Sequence, residues 1–541
     1  MKRTAMAAVT FWLASVAAGG CGGTLARRPF TCPEKGGAAW SEVKSTHFTL
    51  RTDLEPEVAR HVSAELETRF SALADLGFEP PLDVRTRLDI VYFRHREEYE
   101  KVAPKATAGV FGREGGDFER GHIAILQGDF TQRAKELVQH ELTHFFVHAY
   151  YPQAPIWLNE GLADYYESLD LDGEMAVLGR APRSSRFWKG PWSAKLVDGE
   201  YTWMIPMSEA PTARALLSMD AVAFEGASNR DVSTPEGLKA VQQMSAHYAG
   251  AWTLVHLLMA HPDYRTPFED YRQRLLKGES SEQAWAETLG KVPEGKLEKD
   301  YTDALVPSEV ITYRTKYTPA RRAAEATRTL SDADVHMLWA RLRDWRTPDG
   351  LAAARSDMNE ARAHEPHHPE LAILTAYMEN DRGNVAAAEA TLKAALAERP
   401  NDPRLLNAMG WIELNAIGQK TRPPAALTPV AEKLEPLAKT AAELDLLGWT
   451  HLLVHDDVDR ALAYEKRAIA ADPSCYPCFS AASIMLDQKG RLREALQTAT
   501  LALHLLPDGA SAPALVGRIE SYRRRLSEKG DAASRSSPPK P

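Results

Sequence analysis

Residues 140–144 read His140-Glu141-Leu142-Thr143-His144, and shortly afterwards the chain reads Trp157-Leu158-Asn159-Glu160-Gly161-Leu162-Ala163-Asp164. On a helix, residues four apart share a face. His140 and His144 can therefore hold one metal ion, with Glu141 beside an open coordination position. Zinc takes such nitrogen and oxygen ligands, and its catalytic sites keep three from the protein. Two histidines leave one ligand missing, and Glu160 is the candidate for it. Outward from the motif, Ala134, Leu137, Val138, Leu142, Phe145 and Phe146 recur at helical spacing. They predict an amphipathic helix over about 131–150, capped by Asp129 or Thr131 and ended at Tyr151-Pro152. A second helix opens near Trp157 and carries Glu160, with Asp164 one turn along the same face. A chance HExxH on a core helix is the competing reading, and the glutamate-bearing second helix weighs against it.

Together, HELTH and the downstream PIWLNEGLADYYE resemble the gluzincin zinc peptidases, the clan of thermolysin and the aminopeptidase-N relatives. The nearest branch is the bacterial peptidase-MA-like proteins, in which PxWLNEGLAxYxE follows HExxH. The resemblance covers roughly residues 45–300. It implies a thermolysin-like α+β domain, Zn2+ held by His140, His144 and Glu160, and Glu141 as general base. It further implies that Asp164 orients a zinc histidine and that the substrate is a protein or peptide. A metzincin is excluded, because that motif needs Gly and His where Val147 and Tyr150 stand. His148 reads as a packing or surface residue. The run beginning His247-Tyr248 is similar to the aminopeptidase-N helix that starts with an oxyanion-stabilising tyrosine, which would make Tyr248 catalytic; a structural tyrosine is the alternative. That family's Lys-Gly is Gly250-Ala251 here. The GxMEN motif that grasps a free N-terminus is absent, which points to endopeptidase action. Strand Gly121–Leu126, just before the motif helix, would by the same resemblance edge the cleft and pair with extended substrate.

The chain has 541 residues, 44% hydrophobic and 26% charged, with a net charge of −9. This is the composition of a globular protein of several domains. Basic residues are not clustered as nucleic-acid binding requires. Residues 1–20 read as an export signal: Lys2 and Arg3, then an apolar stretch from Ala5 to Ala18. Ala18-Gly19-Gly20-Cys21 resembles a bacterial lipobox, which implies acylation of Cys21 and an outer-membrane lipoprotein of the cell envelope. Contact with the membrane would then be through the lipid alone, since no later apolar run is long enough to span a bilayer. Residues 21–44 read as a linker. Export permits disulfides, and Cys475-Tyr-Pro-Cys478 suits a local disulfide or a pair of thiols better than a redox centre.

The expected domain spans 45–312. Strands are predicted at 47–51, 87–93 and 121–126, and helices at 55–76 and 97–102, with a glycine turn at 112–116. Residues 171–235, rich in Pro and Trp, read either as a cleft-lining insertion or as an irregular packed loop. Helices resume from Pro235, with further ones at 268–276 and 281–289.

Beyond Thr318 the texture becomes alanine-rich. An Ala-x-x-x-x-Pro signature recurs at Ala361/Pro366, Ala395/Pro400, Ala468/Pro473 and Ala502/Pro507. Its first and last spacings match the tetratricopeptide period of ~34 residues, and the wide central gap fits a degenerate repeat with an insertion at 419–426. Gly410 and Gly448 sit where the first helix of a repeat wants a small residue. The resemblance to tetratricopeptide repeats implies an all-α solenoid over 320–527, followed by a disordered tail over 528–541. The functional expectation is a zinc endopeptidase whose repeats dock a protein partner or substrate. The alternative is a non-catalytic, repeat-based scaffold with an inert peptidase-like domain. Inert members normally lose a ligand or the base, and here His140, Glu141, His144, Glu160 and Asp164 are all present.

Overall fold

In the computed structural model the chain is described over residues 31–535, apart from 79–86, 100, 102–108, 114–120, 127–131, 152–153, 198–199, 221–222, 225–233, 308, 320–325, 344–346, 474 and 506–512. The predicted signal, Cys21, the caps at Asp129 and Thr131, the stop at Pro152 and most of the 112–116 turn lie outside the described residues.

The first half is an α+β domain. In chain order it contains β1 (Ser41–Lys44), β2 (Phe48–Thr52), helix α1 (Pro56–Gly77), β3 (Leu88–Phe93), β4 (Gly109–Arg113), β5 (Gly121–Leu126), α2 (Gln132–Tyr150) and α3 (Ile156–Glu167). There follow β6 (Asp170–Asp172), β7 (Met175–Leu178), β8 (Ser185–Trp188), β9 (Ser193–Val197), β10 (Glu200–Pro206), α4 (Pro235–Ala260), α5 (Pro262–Leu276), β11 (Tyr313–Lys316) and β12 (Ala326–Thr329). The main sheet runs β12-β1-β2-β3-β5-β4. β2, β3 and β5 are parallel neighbours, and β4 lies antiparallel on the outside of β5.

β3 reads Leu-Asp-Ile-Val-Tyr-Phe and is buried on both faces, as a central parallel strand requires. Ile90 and Tyr92 join the core under α1 and α2. On α1, Val62, Leu66, Phe70 and Leu73 recur at helical spacing and are buried. Phe70 packs against Phe48 of β2 at 5.7 Å and Phe146 of α2 at 4.9 Å, ring centre to ring centre. Val91 and Phe93 point the other way, into a second core with Cys32, Trp40 and Trp339.

Several boundaries differ from expectation. Residues 21–44 are not simply a linker, because Ser41–Lys44 is a sheet strand paired with β2 and β12. The domain does not end at 312, since β11 pairs with β7 and β12 with β1. β5 is not an edge strand, because β4 covers it, and Gly112 belongs to that strand instead of a turn. The helix expected over 97–102 is the short turn Arg96–Tyr99. Residues 170–206 are not irregular: β8, β10 and β9 form one small sheet, and β6 and β7 join β11 in another.

The second half is a stack of helix pairs: Asp332–Leu342 with Pro348–His364, Pro369–Asp381 with Val385–Glu398, Pro403–Gly418 with Thr428–Leu434, Ala441–His455 with Val458–Ala471, and Tyr476–Gln488 with Leu492–His504. Proline opens many of these helices at its first position, where its missing N–H costs nothing. The signature alanines Ala361, Ala395, Ala468 and Ala502 are buried where neighbouring helices press together. A Cβ on Gly410 would stand 2.3 Å from Cδ2 of Leu446, so a larger residue at 410 would force the Leu446 side chain to move. The predicted insertion is visible after Gly418, where Lys420 takes a positive φ and a 3-10 turn spans Pro424–Leu427. The final helix, Pro513–Arg535, runs past 528, so residues 528–535 are helical and not a disordered tail; Ala532 and Ala533 are good helix formers. Cys475 and Cys478 are joined by a disulfide, and Cys32 is a buried free thiol. Among the described residues no helix is long and apolar enough to cross a membrane.

Candidate metal centre

α2 and α3 pack face to face. Their shared surface is held by Gln139, a fully buried amide one residue before the HExxH motif. Its Nε2 donates to the carbonyls of Tyr166, Glu167 and Leu169 at 3.2, 2.6 and 3.0 Å. These include carbonyls at the end of α3, where the last turn lacks intrahelical donors. On its other side α3 packs on α4, with Gly161 at the contact.

This packing brings the predicted ligands together. One ligand atom from each of His140, His144 and Glu160 lies within 4.8 Å of the others. Glu160 Oε2 stands 3.7 Å from His140 Nε2 and 3.6 Å from His144 Nε2, too far for hydrogen bonds. Ligands ~2.0–2.2 Å from a tetrahedral zinc stand roughly 3.3–3.6 Å apart, so the spacing suits an ion between them. The donor set, two imidazole nitrogens and one carboxylate, suits the same ion. The side chains of His140, His144 and Glu160 are 14%, 12% and 10% exposed, so each keeps a small part open to solvent.

The far edge of each imidazole is also held. Asp164 Oδ1 and Glu167 Oε2 both lie 3.3 Å from His140 Nδ1. Asn159 Oδ1 lies 3.1 Å from His144 Nδ1 and accepts its proton. These oxygens favour a proton on each Nδ1, the tautomer that would turn the Nε2 lone pair toward Glu160 once a metal ion is held there. Burial works to lower the pKa of His140, but Asp164 and Glu167 outweigh it and hold it well above the usual histidine value. Burial pushes Asp164 upward despite its bond to His140. Burial acts in the same direction on Glu167, but Arg133, 2.6 Å away, and His140 overcome it and pull that carboxyl down. The pocket is therefore rich in carboxylate and favours a cation.

Asp164 thus stands beside His140, one of the predicted ligands. Glu141 is buried on α2, next to the ligands. Tyr248 rides on α4, half-buried, with its ring edge-on to Phe224 at 5.3 Å. It shares a helical face with Ala251 and Val255, the two residues that meet Gly161. His247 is buried, and its Nδ1 bonds the Phe224 carbonyl at 2.7 Å. Sequence reasoning missed Gln139, Asn159 and Glu167. Only Glu167 had a usable signal, one turn beyond Asp164 and two beyond Glu160.

The sequence profile described as "Tetratricopeptide repeat" matches residues 351–412. No curated protein matches the chain. Solved structures similar to it include TTC0263, a thermophilic tetratricopeptide-repeat protein of Thermus thermophilus (21% identity, 36% of this chain and 98% of that one, TM-score 0.30). Others are MamA from Desulfovibrio magneticus (19% identity, 32% and 96%, TM-score 0.25) and pilF of Pseudomonas aeruginosa (14% identity, 38% and 88%, TM-score 0.29). The matched profile and the stacked helix pairs together support a helical, tetratricopeptide-like solenoid in the C-terminal part of the chain; tetratricopeptide repeats generally mediate contacts between proteins.

Proposed function

We propose that the chain is a zinc-dependent peptidase, acting within polypeptides, whose solenoid docks a protein substrate or partner. The observation that carries this reading is the convergence of His140, His144 and Glu160 on one point, with Glu141 buried on the helix that bears the two histidines. Zinc at that point would supply a Lewis acid for the scissile carbonyl. The Glu141 carboxylate takes a proton from the attacking water as its oxygen bonds to the carbonyl carbon. Glu141 then delivers that proton to the amide nitrogen as the C–N bond breaks. Tyr248 donates its hydroxyl to the oxyanion. Asp164 and Glu167 hold His140, and Asn159 holds His144, in the tautomers that ligation needs. An extended substrate adds to β4, the antiparallel edge of the main sheet, through backbone hydrogen bonds. We further propose export to the cell envelope and tethering through an acylated Cys21.

A second reading is favoured by one finding: the family profile that matches lies in the solenoid. On that reading the protein is an interaction scaffold and the first domain is inert. The discriminating experiment measures zinc content together with hydrolysis of unfolded casein by the full chain. Peptidase action predicts near-stoichiometric zinc and cleavage that a chelator stops and added zinc restores. Zinc-loaded protein that leaves casein intact would support the scaffold.

A further inference from the structure

A second cluster of metal-ligating side chains lies on the opposite side of the main sheet from α1, where the N-terminal segment meets the first helix pair. Ligand atoms of Cys32, His336 and His364 lie within 4.8 Å of one another, as do those of Glu34, Asp332 and His364. The two groups share His364 and border a cleft of about 380 Å³ lined by Glu34, Asp332 and His364 among others.

The segment bearing Cys32 is built into place. A 3-10 turn spans Pro33–Lys35, and Gly36 then takes φ 86°, a left-handed conformation that suits glycine. A Cβ on Gly37 would lie 1.7 Å from the Thr31 carbonyl oxygen, so glycine is required there as well. The backbone N–H of Glu34 donates to Asp332 Oδ2 at 3.1 Å, and Lys35 pairs with Glu360 at 2.7 Å.

His336 is the second, independent observation. It is 4% exposed, and neither ring nitrogen makes a hydrogen bond. Its Nδ1 lies 3.5 Å from Asp357 Oδ1, and Asp357 is itself held by Arg343 at 3.1 Å. Asp357 therefore stands near the ring as a negative charge and not as a hydrogen-bond partner, and both ring nitrogens are buried without one. A buried imidazole nitrogen left unbonded is costly, and a cation removes the cost. His364 Nδ1 faces Glu34 at 3.1 Å, and its Nε2 is 4.0 Å from Asp332.

We propose that Cys32, His336 and His364, with a carboxylate from Asp332 or Glu34, form a second zinc site that pins the N-terminal segment to both helices of the first repeat. Cys32, His336 and His364 supply one thiolate and two imidazoles, and a carboxylate of the adjoining triad, which shares His364, would complete the four donors that zinc takes in a structural site. Such a site adds its binding free energy to the junction between the α+β domain and the solenoid.

Cobalt(II) titration of the metal-free full chain tests this. The His140, His144 and Glu160 centre has no sulfur ligand, so a thiolate-to-cobalt charge-transfer band in the near ultraviolet reports the second site alone. The band should appear in the parent and vanish in Cys32→Ala. His364→Gln alters an exposed residue, so its fold is expected to survive. It should weaken cobalt binding at this site at least ~10-fold, since even outer partners of a metal site are worth that much. Zinc should raise the unfolding midpoint of the parent more than that of His364→Gln. A folded parent without the band, or a band that persists unchanged in Cys32→Ala and His364→Gln, would overturn the assignment.

Discussion

Gly161 lies so close to α4 that a Cβ there would stand 2.7 Å from the carbonyl oxygen of Ala251 and 2.6 Å from Val255 Cγ2. Glu160 is its neighbour, so the helix contact that glycine permits also sets the depth of the third ligand. Gly161→Ala should push α3 away from α4, destabilise the domain by about 1–3 kcal/mol, and weaken zinc binding. Denaturant unfolding and competitive chelation read the two effects. Unchanged stability and affinity would mean that the helices can separate without moving Glu160.

The partners of the histidine Nδ1 atoms yield a second expectation. Asn159→Ala, and Asp164→Asn combined with Glu167→Gln, should each weaken zinc binding by roughly 10–100-fold. Their folds should survive, because the ligands themselves are kept. Chelator competition on the purified variants reads the change. Wild-type affinity in both would show that neither carboxylate nor amide tunes the ligands.

The solenoid carries a pH-dependent element. Asp445 and Glu465 are 1% and 0% exposed. Burial pushes Asp445 up to about 7, although bonds to Glu465 and Trp449 oppose it. Burial and the neighbouring Asp445 hold Glu465 well above the usual carboxylate range. An unfolded chain releases these protons near pH ~4. Above that pH the folded state holds more protons than the unfolded one, so the pair's contribution to stability falls as pH rises through the folded values. Glu465→Gln should therefore stabilise the solenoid more at about pH 8 than at about pH 5. An equal effect at both values would contradict the pair's elevated titration.

Domain boundaries follow from the sheet. A chain ended at residue 312 loses β11 and β12, and uncovers the Trp40, Val91 and Phe93 side of the sheet that Leu338 and Trp339 cover. It should be insoluble or unfolded. A chain ended after the first helix pair, at about residue 366, keeps these contacts and should bind zinc at His140, His144 and Glu160. Gel filtration and zinc content compare the two. A well-folded 312-residue product would place the boundary where composition alone suggested.

The legible parts of the chain are those in which a local period meets a specific chemistry. His140 and His144 could be read because helical geometry places residues four apart together, and Glu160 because the Trp157–Asp164 stretch that follows resembles the zinc-peptidase pattern. The repeats could be read because Ala361 and its counterparts recur at a fixed spacing. β12 was illegible for a physical reason: Ala326–Thr329 is exposed at every position, so no apolar alternation marks it, and only its backbone pairing with β1 makes it a strand. β4, with glycine at both Gly109 and Gly112, is hidden in the same way. Gln139 and Asn159 escaped because an amide side chain can bond almost any polar group, and nothing local says which.

The most direct test of the central claim is the rate at which zinc-loaded Glu141→Gln hydrolyses an unfolded protein substrate. Glutamine keeps the shape of the side chain but cannot accept the proton of the attacking water. The variant should hold zinc as the parent does and lose roughly 10²–10⁴-fold in rate, the contribution of a general base. A zinc-loaded Glu141→Gln protein that cleaves at the parental rate would contradict the mechanism.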